Sequence, residues 1–213
     1  MVVATHYRLW WDRCQNAHGI QRVHLGRWCA ANGIAAQNMP RVLDELRAKV
    51  ADAVFDRQGV SSKAGILLES ILDDLALLYE RSLPRNKLNQ YTLGALMNGC
   101  SKLFSRHNLT VQINANWNVD GQPADWQATD GTAAFNRVDA LQFIRNQVGC
   151  HFNPPGMEIP DDDVREFGAS TIALVEALTC PNCGTLATKI ANDGTHRRCS
   201  CAKRAARMTP VAI

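Results

Sequence analysis

Long apolar runs are missing from this sequence. No window in its 213 residues approaches the roughly 18 to 20 consecutive apolar positions of a membrane-spanning helix. The opening MVVATHYRLWWDR has neither the unbroken apolar stretch nor the small-residue cleavage site of a secretory leader, so a cytoplasmic protein is expected. Internal repeats and low-complexity segments are absent too, which excludes a repeat array and a disordered tail. Nothing resembles a DNA-recognition helix, which leaves a DNA-binding regulator as the weakest of the functional readings. The total charge of +3 is small and marks no class of partner by itself.

What is present is an apolar fraction of 46%, normal for a chain that buries a core, and length for one domain with a small appendage. Charge is uneven along it. Residues 179–213 carry Lys189, Arg197, Arg198, Lys203, Arg204 and Arg207 against Asp193 alone, a net of +5, which leaves −2 for residues 1–178. The basic character belongs to the end of the sequence.

Of eight cysteines, Cys14, Cys29, Cys100 and Cys150 are scattered, whereas Cys180, Cys183, Cys199 and Cys201 crowd together. In a reducing compartment such crowding argues for metal rather than disulfides. Cys180-Pro-Asn-Cys183-Gly has the two-residue gap that lets a tight turn aim two thiolates at one ion, and Gly184 suits that turn. Cys199-Ser-Cys201 supplies the second pair after a stretch that fits a short hairpin turning at Asn192-Asp193-Gly194. The one-residue gap departs from the usual spacing, and His196 is the nearest substitute ligand. Four closed ligands describe a structural Zn2+ site, a ribbon, with no chemistry of its own.

Helical periodicity organises the middle of the chain. Val42, Leu43, Leu46, Val50 and Val54 recur at steps of three and four from Pro40 to a stop at Gly59. Ser61 or Ser62 is the expected cap of SSKAGILLESILDDLALLYERS, whose stripe is Ile66, Leu67, Ile71, Leu75 and Leu78. Thr92 caps the next segment, YTLGALMNGCSKLFSRHN. Residues 110–134 lack a stripe and read as a long connection with a short strand at residues 110–113. Helix resumes at Phe135, must end by Asn153-Pro154-Pro155, and runs again from Asp161 to Leu178 behind an acidic first turn. Residues 1–39, rich in Trp and Arg (Trp10, Trp11, Trp28), are expected to form short helices. The expectation is an all-α antiparallel helical bundle over residues 40–178, with a zinc ribbon and basic tail over 179–213.

The segment IRNQVGCHFNPP, following GILLESILDDLALLYE and YTLGALM, resembles the HEPN domains of prokaryotic defence and toxin systems. Their signature is an arginine, a polar residue and a histidine four to six residues along; here these are Arg145, Asn146 and His151. The spacing of Arg13 and His18 also fits but lacks the polar neighbour and the upstream helices. The resemblance covers residues 40–178. It implies a metal-independent endoribonuclease effector of a toxin or anti-phage system, acting on RNA as a homodimer. It also implies a regulatory partner, an ATPase or a nucleotidyltransferase-like antitoxin.

On a straight helix Arg145 and His151 lie roughly 120° apart, so they share a face only where the helix opens near Gly149. Two copies packed about a two-fold axis could instead pool an Arg and a His each. In such a cleft His151 would move a proton to or from the 2′-hydroxyl or the departing 5′-oxygen. Arg145 would fork onto the phosphate and Asn146 would orient one of them. Asp73, Asp74 and Asp161, Asp162, Asp163 read as solvated helix positions. Arg197, Arg198, Lys203, Arg204 and Arg207 are the expected nucleic-acid or partner contacts. The alternative is a non-enzymatic HEPN-like adaptor that binds a partner ATPase or nucleic acid.

Overall fold

The computed structural model describes residues 23–29, 33–38, 42–84, 91–149 and 154–213. Strands β1 (Val23–Cys29) and β2 (Gly33–Asn38) pair antiparallel, with a register shift between Leu25 and Trp28. They replace the short helices expected there. The absence of a sustained helical period is the physical reason, and Val23, Trp28 and Ile34 are side chains that suit a strand. Trp10, Trp11, Arg13, Cys14 and His18 lie outside the described residues.

Helix α1 (Val42–Ala51) buries Val42 and Leu46 and stops well before Gly59. Val54, expected on its stripe, is 82% exposed. Helix α2 (Arg57–Leu78) is capped by Asp56, whose Oδ1 accepts from the Gly59 amide at 2.8 Å. The expected caps Ser61 and Ser62 are therefore helix interior, and Gly59 sits in the first turn, where its exposed amide meets the cap. Helix α3 (Leu93–Ser105) begins as expected: Thr92 Oγ1 accepts from the Ala95 amide at 3.2 Å.

Beyond α3 come β3 (Thr110–Asn114), β4 (Trp126–Ala128) and helix α4 (Gly131–Leu141). A π-helical turn, Arg145–Gly149, leads towards the short helix α5 (Pro154–Met157) and then α6 (Asp161–Leu178). Helix α2 is the centre of the packing and touches α1, α3, α6 and the π-helical turn. Leu68, Leu72, Leu75, Met97, Leu103, Ile144, Phe167 and Leu174 are fully enclosed between these elements.

The fold is mixed α/β, not the all-α bundle expected. Three short strands follow α6: β5 (Lys189–Ile190), β6 (Arg197–Arg198) and β7 (Ala206–Thr209). They join β3 and β4 in one antiparallel sheet of order β4-β3-β7-β6-β5. The central pairing sets Val111 opposite Met208 and Gln112 opposite Arg207. Sequence periodicity sees such partners poorly, because they lie nearly a hundred residues apart and each strand is only four or five residues long. Val111 and Met208 are buried in the helical core, so the ribbon is bound to the helices by a shared sheet as well as by the chain running out of α6. Among the described residues, no helix is long and apolar enough to cross a membrane.

Candidate functional site

The cysteine cluster is built by two turns. Cys180 N–H donates to the Thr185 carbonyl (2.9 Å) and Gly184 N–H to the Cys180 carbonyl (2.7 Å), folding residues 180–185 into a knuckle. Gly184 takes φ 66°, a left-handed angle at which glycine carries no steric penalty. On the other side Cys199 N–H donates to the Ala206 carbonyl and Arg204 N–H to the Cys201 carbonyl. The Asn192-Asp193-Gly194 turn lies between β5 and β6 with Gly194 at φ 69°.

The four ligand atoms of Cys180, Cys183, Cys199 and Cys201 all lie within 4.8 Å of one another and could hold a metal ion. Cys180 and Cys201 Sγ are 3.8 Å apart, Cys199 and Cys201 Sγ 3.5 Å. A tetrahedral ion with thiolate bonds of about 2.3 Å needs sulfur–sulfur separations of about 3.8 Å, so the donor set fits. The one-residue gap between Cys199 and Cys201 does not exclude either sulfur. His196 takes no part: its Nδ1 bonds Thr195 Oγ1 at 2.8 Å. Hydrogen bonds from the neighbouring Cys180 and Cys199 thiols, and from Thr185, lower the pKa of Cys183; contacts with Cys180 and Cys183, and burial, push Cys199 up. Ile113 and Trp117, from the connection after α3, pack against the cluster.

The π-helical turn is the second candidate. Arg145 crosses α2 at Gly65, where an added Cβ would come within 2.6 Å of Arg145 Cγ. One turn along, Gly149 meets Ser61 in the same way, and Ser61 Oγ donates to the Ile144 carbonyl at 3.1 Å. The helix does open over Arg145–Gly149. Arg145 Nη2 bonds Glu69 Oε1 at 2.6 Å and Nη1 bonds Asn146 Oδ1 at 3.3 Å, both carboxylate and guanidinium being about a quarter to a third exposed. Burial raises the pKa of Glu69, and the Arg145 charge opposes that shift only in part. Arg145 and Asn146 are thus brought together; His151 and Cys150 lie outside the described residues. The pairing with Glu69 was not foreseen, although its position off the apolar stripe of α2 was a usable signal.

The basic residues divide by face. Arg197 points inward: its Nε donates to the Val211 carbonyl (2.8 Å) and its guanidinium lies over the Tyr79 ring (5.5 Å). Arg207 stacks over Trp126 at 4.4 Å and donates through Nε to Gln112 Oε1 at 2.6 Å. Lys203 pairs with Asp120 at 2.7 Å. Asp73, expected to be solvated, is only 8% exposed, while Asp161 pairs with Arg57 at 2.9 Å. An apolar cleft of about 540 Å³ between α1, α2 and the knuckle has Asp74 as its single ionisable lining residue. It holds no reactive constellation.

The fold and the cluster define a helix-and-sheet protein with a four-cysteine metal-type centre. Compared with family models, curated proteins and solved structures, the chain matches none. The likeness to HEPN domains therefore stands on the quoted residues alone.

Proposed function

We propose that this protein is a metal-independent endoribonuclease effector that works as a two-fold dimer through Arg145, Asn146 and His151. The observation that carries the reading is the π-helical turn at Arg145–Gly149. Such turns are rare and concentrate at functional sites. Arg145 is half-buried there, held by Glu69 with Asn146 beside it, as a phosphate-binding group needs to be.

In this scheme the 2′-oxygen of the substrate attacks phosphorus as its proton passes to a histidine. The bond from phosphorus to the 5′-oxygen breaks, and that oxygen takes a proton from the second histidine of the dimer. The products are a 2′,3′-cyclic phosphate and a 5′-hydroxyl. The metal we assign to Cys180, Cys183, Cys199 and Cys201 is Zn2+, which would supply cross-linking to the fold and no step of the reaction. Restraint by an ATPase or nucleotidyltransferase-like partner belongs to the same proposal.

The test is incubation of purified protein with single-stranded RNA in buffer free of added divalent ions. Cyclic phosphate and 5′-hydroxyl ends support the scheme; 5′-phosphate ends contradict it. The Glu69–Arg145 ion pair favours a second reading, the non-enzymatic adaptor, because it gives the guanidinium a partner within the fold. That reading expects Arg145→Ala to change the affinity for a protein partner while no RNA is cut by either form.

A further inference from the structure

Residues opposite one another in an antiparallel sheet point to the same face. In the five-stranded sheet one such row runs Ala128, Gln112, Arg207, Arg198, Lys189. The adjacent row, Val111, Met208, Arg197, Ile190, is on the side of the helical core, since Val111 and Met208 are buried and Arg197 lies on Tyr79, with Ile190 exposed at the sheet edge. The first row therefore faces away from the helices. Trp126, opposite Asn114, shares that outer face.

This row breaks a rule of sheet stability. Three cations stand side by side on β7, β6 and β5, and like charges directly opposite destabilise a sheet. No acidic side chain occupies the row. Adjacent strands are about 4.8 Å apart, so the backbones carrying the three cations span about 10 Å. The Arg207 guanidinium is fixed by Trp126 and by Nε donation to Gln112, which orients its two terminal nitrogens and limits the entropy lost on gripping an anion.

We propose that this outer face, with Lys189, Arg198 and Arg207 as phosphate contacts and Gln112, Asn114 and Trp126 beside them, is the docking surface for single-stranded RNA. The proposal rests on the reading of RNA as substrate and gives that reading its binding surface. Charge complementarity names the phosphodiester backbone as occupant, because a polyanion relieves the repulsion within the row. The side-chain oxygens of Gln112 and Asn114 are engaged within the fold and Arg207 covers one face of Trp126, so base edges and stacking fall to the two amide nitrogens and the other indole face, which an acidic peptide would leave unused. Arg197 and Lys203 drop out, the first turned inward and the second paired with Asp120. Sequence reasoning omitted Gln112 and Trp126, because their strands join the ribbon only through tertiary pairing.

The experiment is fluorescence anisotropy of a labelled oligouridylate against full-length His151→Ala protein, which keeps the probe intact, titrated across salt concentrations. The double variant Lys189→Gln/Arg198→Gln on that background is expected to bind about tenfold more weakly. Its log–log salt slope should be shallower by about 1.4, two phosphates at about 0.7 each. Its melting temperature should be equal or higher, since repulsion is removed, and this separates lost binding from lost folding. Lys102→Ala on α3 is expected to bind like the parent. Undiminished affinity in the double variant, with RNA still bound, overturns the docking surface and leaves the nuclease proposal standing. Absence of RNA binding by the parent at low salt overturns both. Displacement of the probe by polyglutamate as effectively as by unlabelled RNA overturns the choice of occupant.

Discussion

The cysteine cluster and the Arg145 turn are held in opposite ways. At the cluster four side chains face one another, their sulfurs within 4.8 Å, and the surrounding backbone closes its own hydrogen bonds. All four cysteines are buried, so no thiol faces outward for a substrate to meet. At the turn the polar side chain that matters is held from outside its own element, by Glu69 and Gly65 of α2, and remains partly open to water. A closed donor set of this kind stabilises; a half-open, pre-positioned cation is suited to bind an anion. Substitutions that remove metal should therefore act on stability, and substitutions at the turn on chemistry.

The largest effect expected is from Cys180→Ser/Cys201→Ser. With Zn2+ at the four cysteines as proposed, its loss removes the knuckle and loosens the β3–β7 pairing, at about 3–5 kcal/mol, or about 10 °C in melting temperature by calorimetry. A variant that melts with the parent would break the comparison, because the cluster would then not support the fold. Gly156→Ala comes next. Its Cβ would lie 2.0 Å from the Gln147 carbonyl oxygen, a backbone atom that cannot swing aside, so about 1–3 kcal/mol is expected in urea unfolding.

Tyr79→Phe removes the 2.9 Å hydrogen bond from the phenol to the Pro210 carbonyl, about 1 kcal/mol. Burial pushes the Tyr79 hydroxyl up to about 12, with Arg197 opposing. Between about pH 10 and that value the folded state keeps a proton that the unfolded state has released. Stability contributed by the neutral phenol therefore falls as pH rises through this window, and Tyr79→Phe should flatten that part of a melting-temperature profile.

The smallest effect on stability is expected from Glu69→Gln, a few tenths of a kcal/mol, because the pair is partly exposed. Since burial raises the Glu69 pKa above 4.5, the folded state binds the extra proton just above that pH. Glu69 therefore disfavours folding increasingly as pH rises through the window, and the amide removes that slope. A drop in RNA turnover larger than any drop in stability would sharpen the contrast between the two regions.

What was legible in the sequence was local. The Thr92 cap, helix α6 from Asp161 to Leu178, the strand at Thr110, the turn at Gly194 and the four cysteines each rest on a few neighbouring residues. What was not legible depended on distant partners. Ala206–Thr209 becomes a strand because β3 offers it a hydrogen-bonding edge and Met208 finds Val111. The helices alone therefore gave the wrong fold class. Gly59 reads as a stop in the sequence, but the Asp56 carboxylate accepts its amide and starts a helix there, so the glycine falls harmlessly in a first turn. Arg145 is legible as a candidate, but its tie to Glu69 crosses between helices: the place of Glu69 off the α2 stripe marks it as polar without naming its partner.

The most direct measurement is the initial rate of single-stranded RNA cleavage by the purified parent and by His151→Ala, both with the full complement of bound metal and no added divalent ion. Loss of about a hundredfold or more in rate, with the melting temperature unchanged, is the result the account predicts. Equal rates in the two proteins, or no cleavage by the parent, would contradict it.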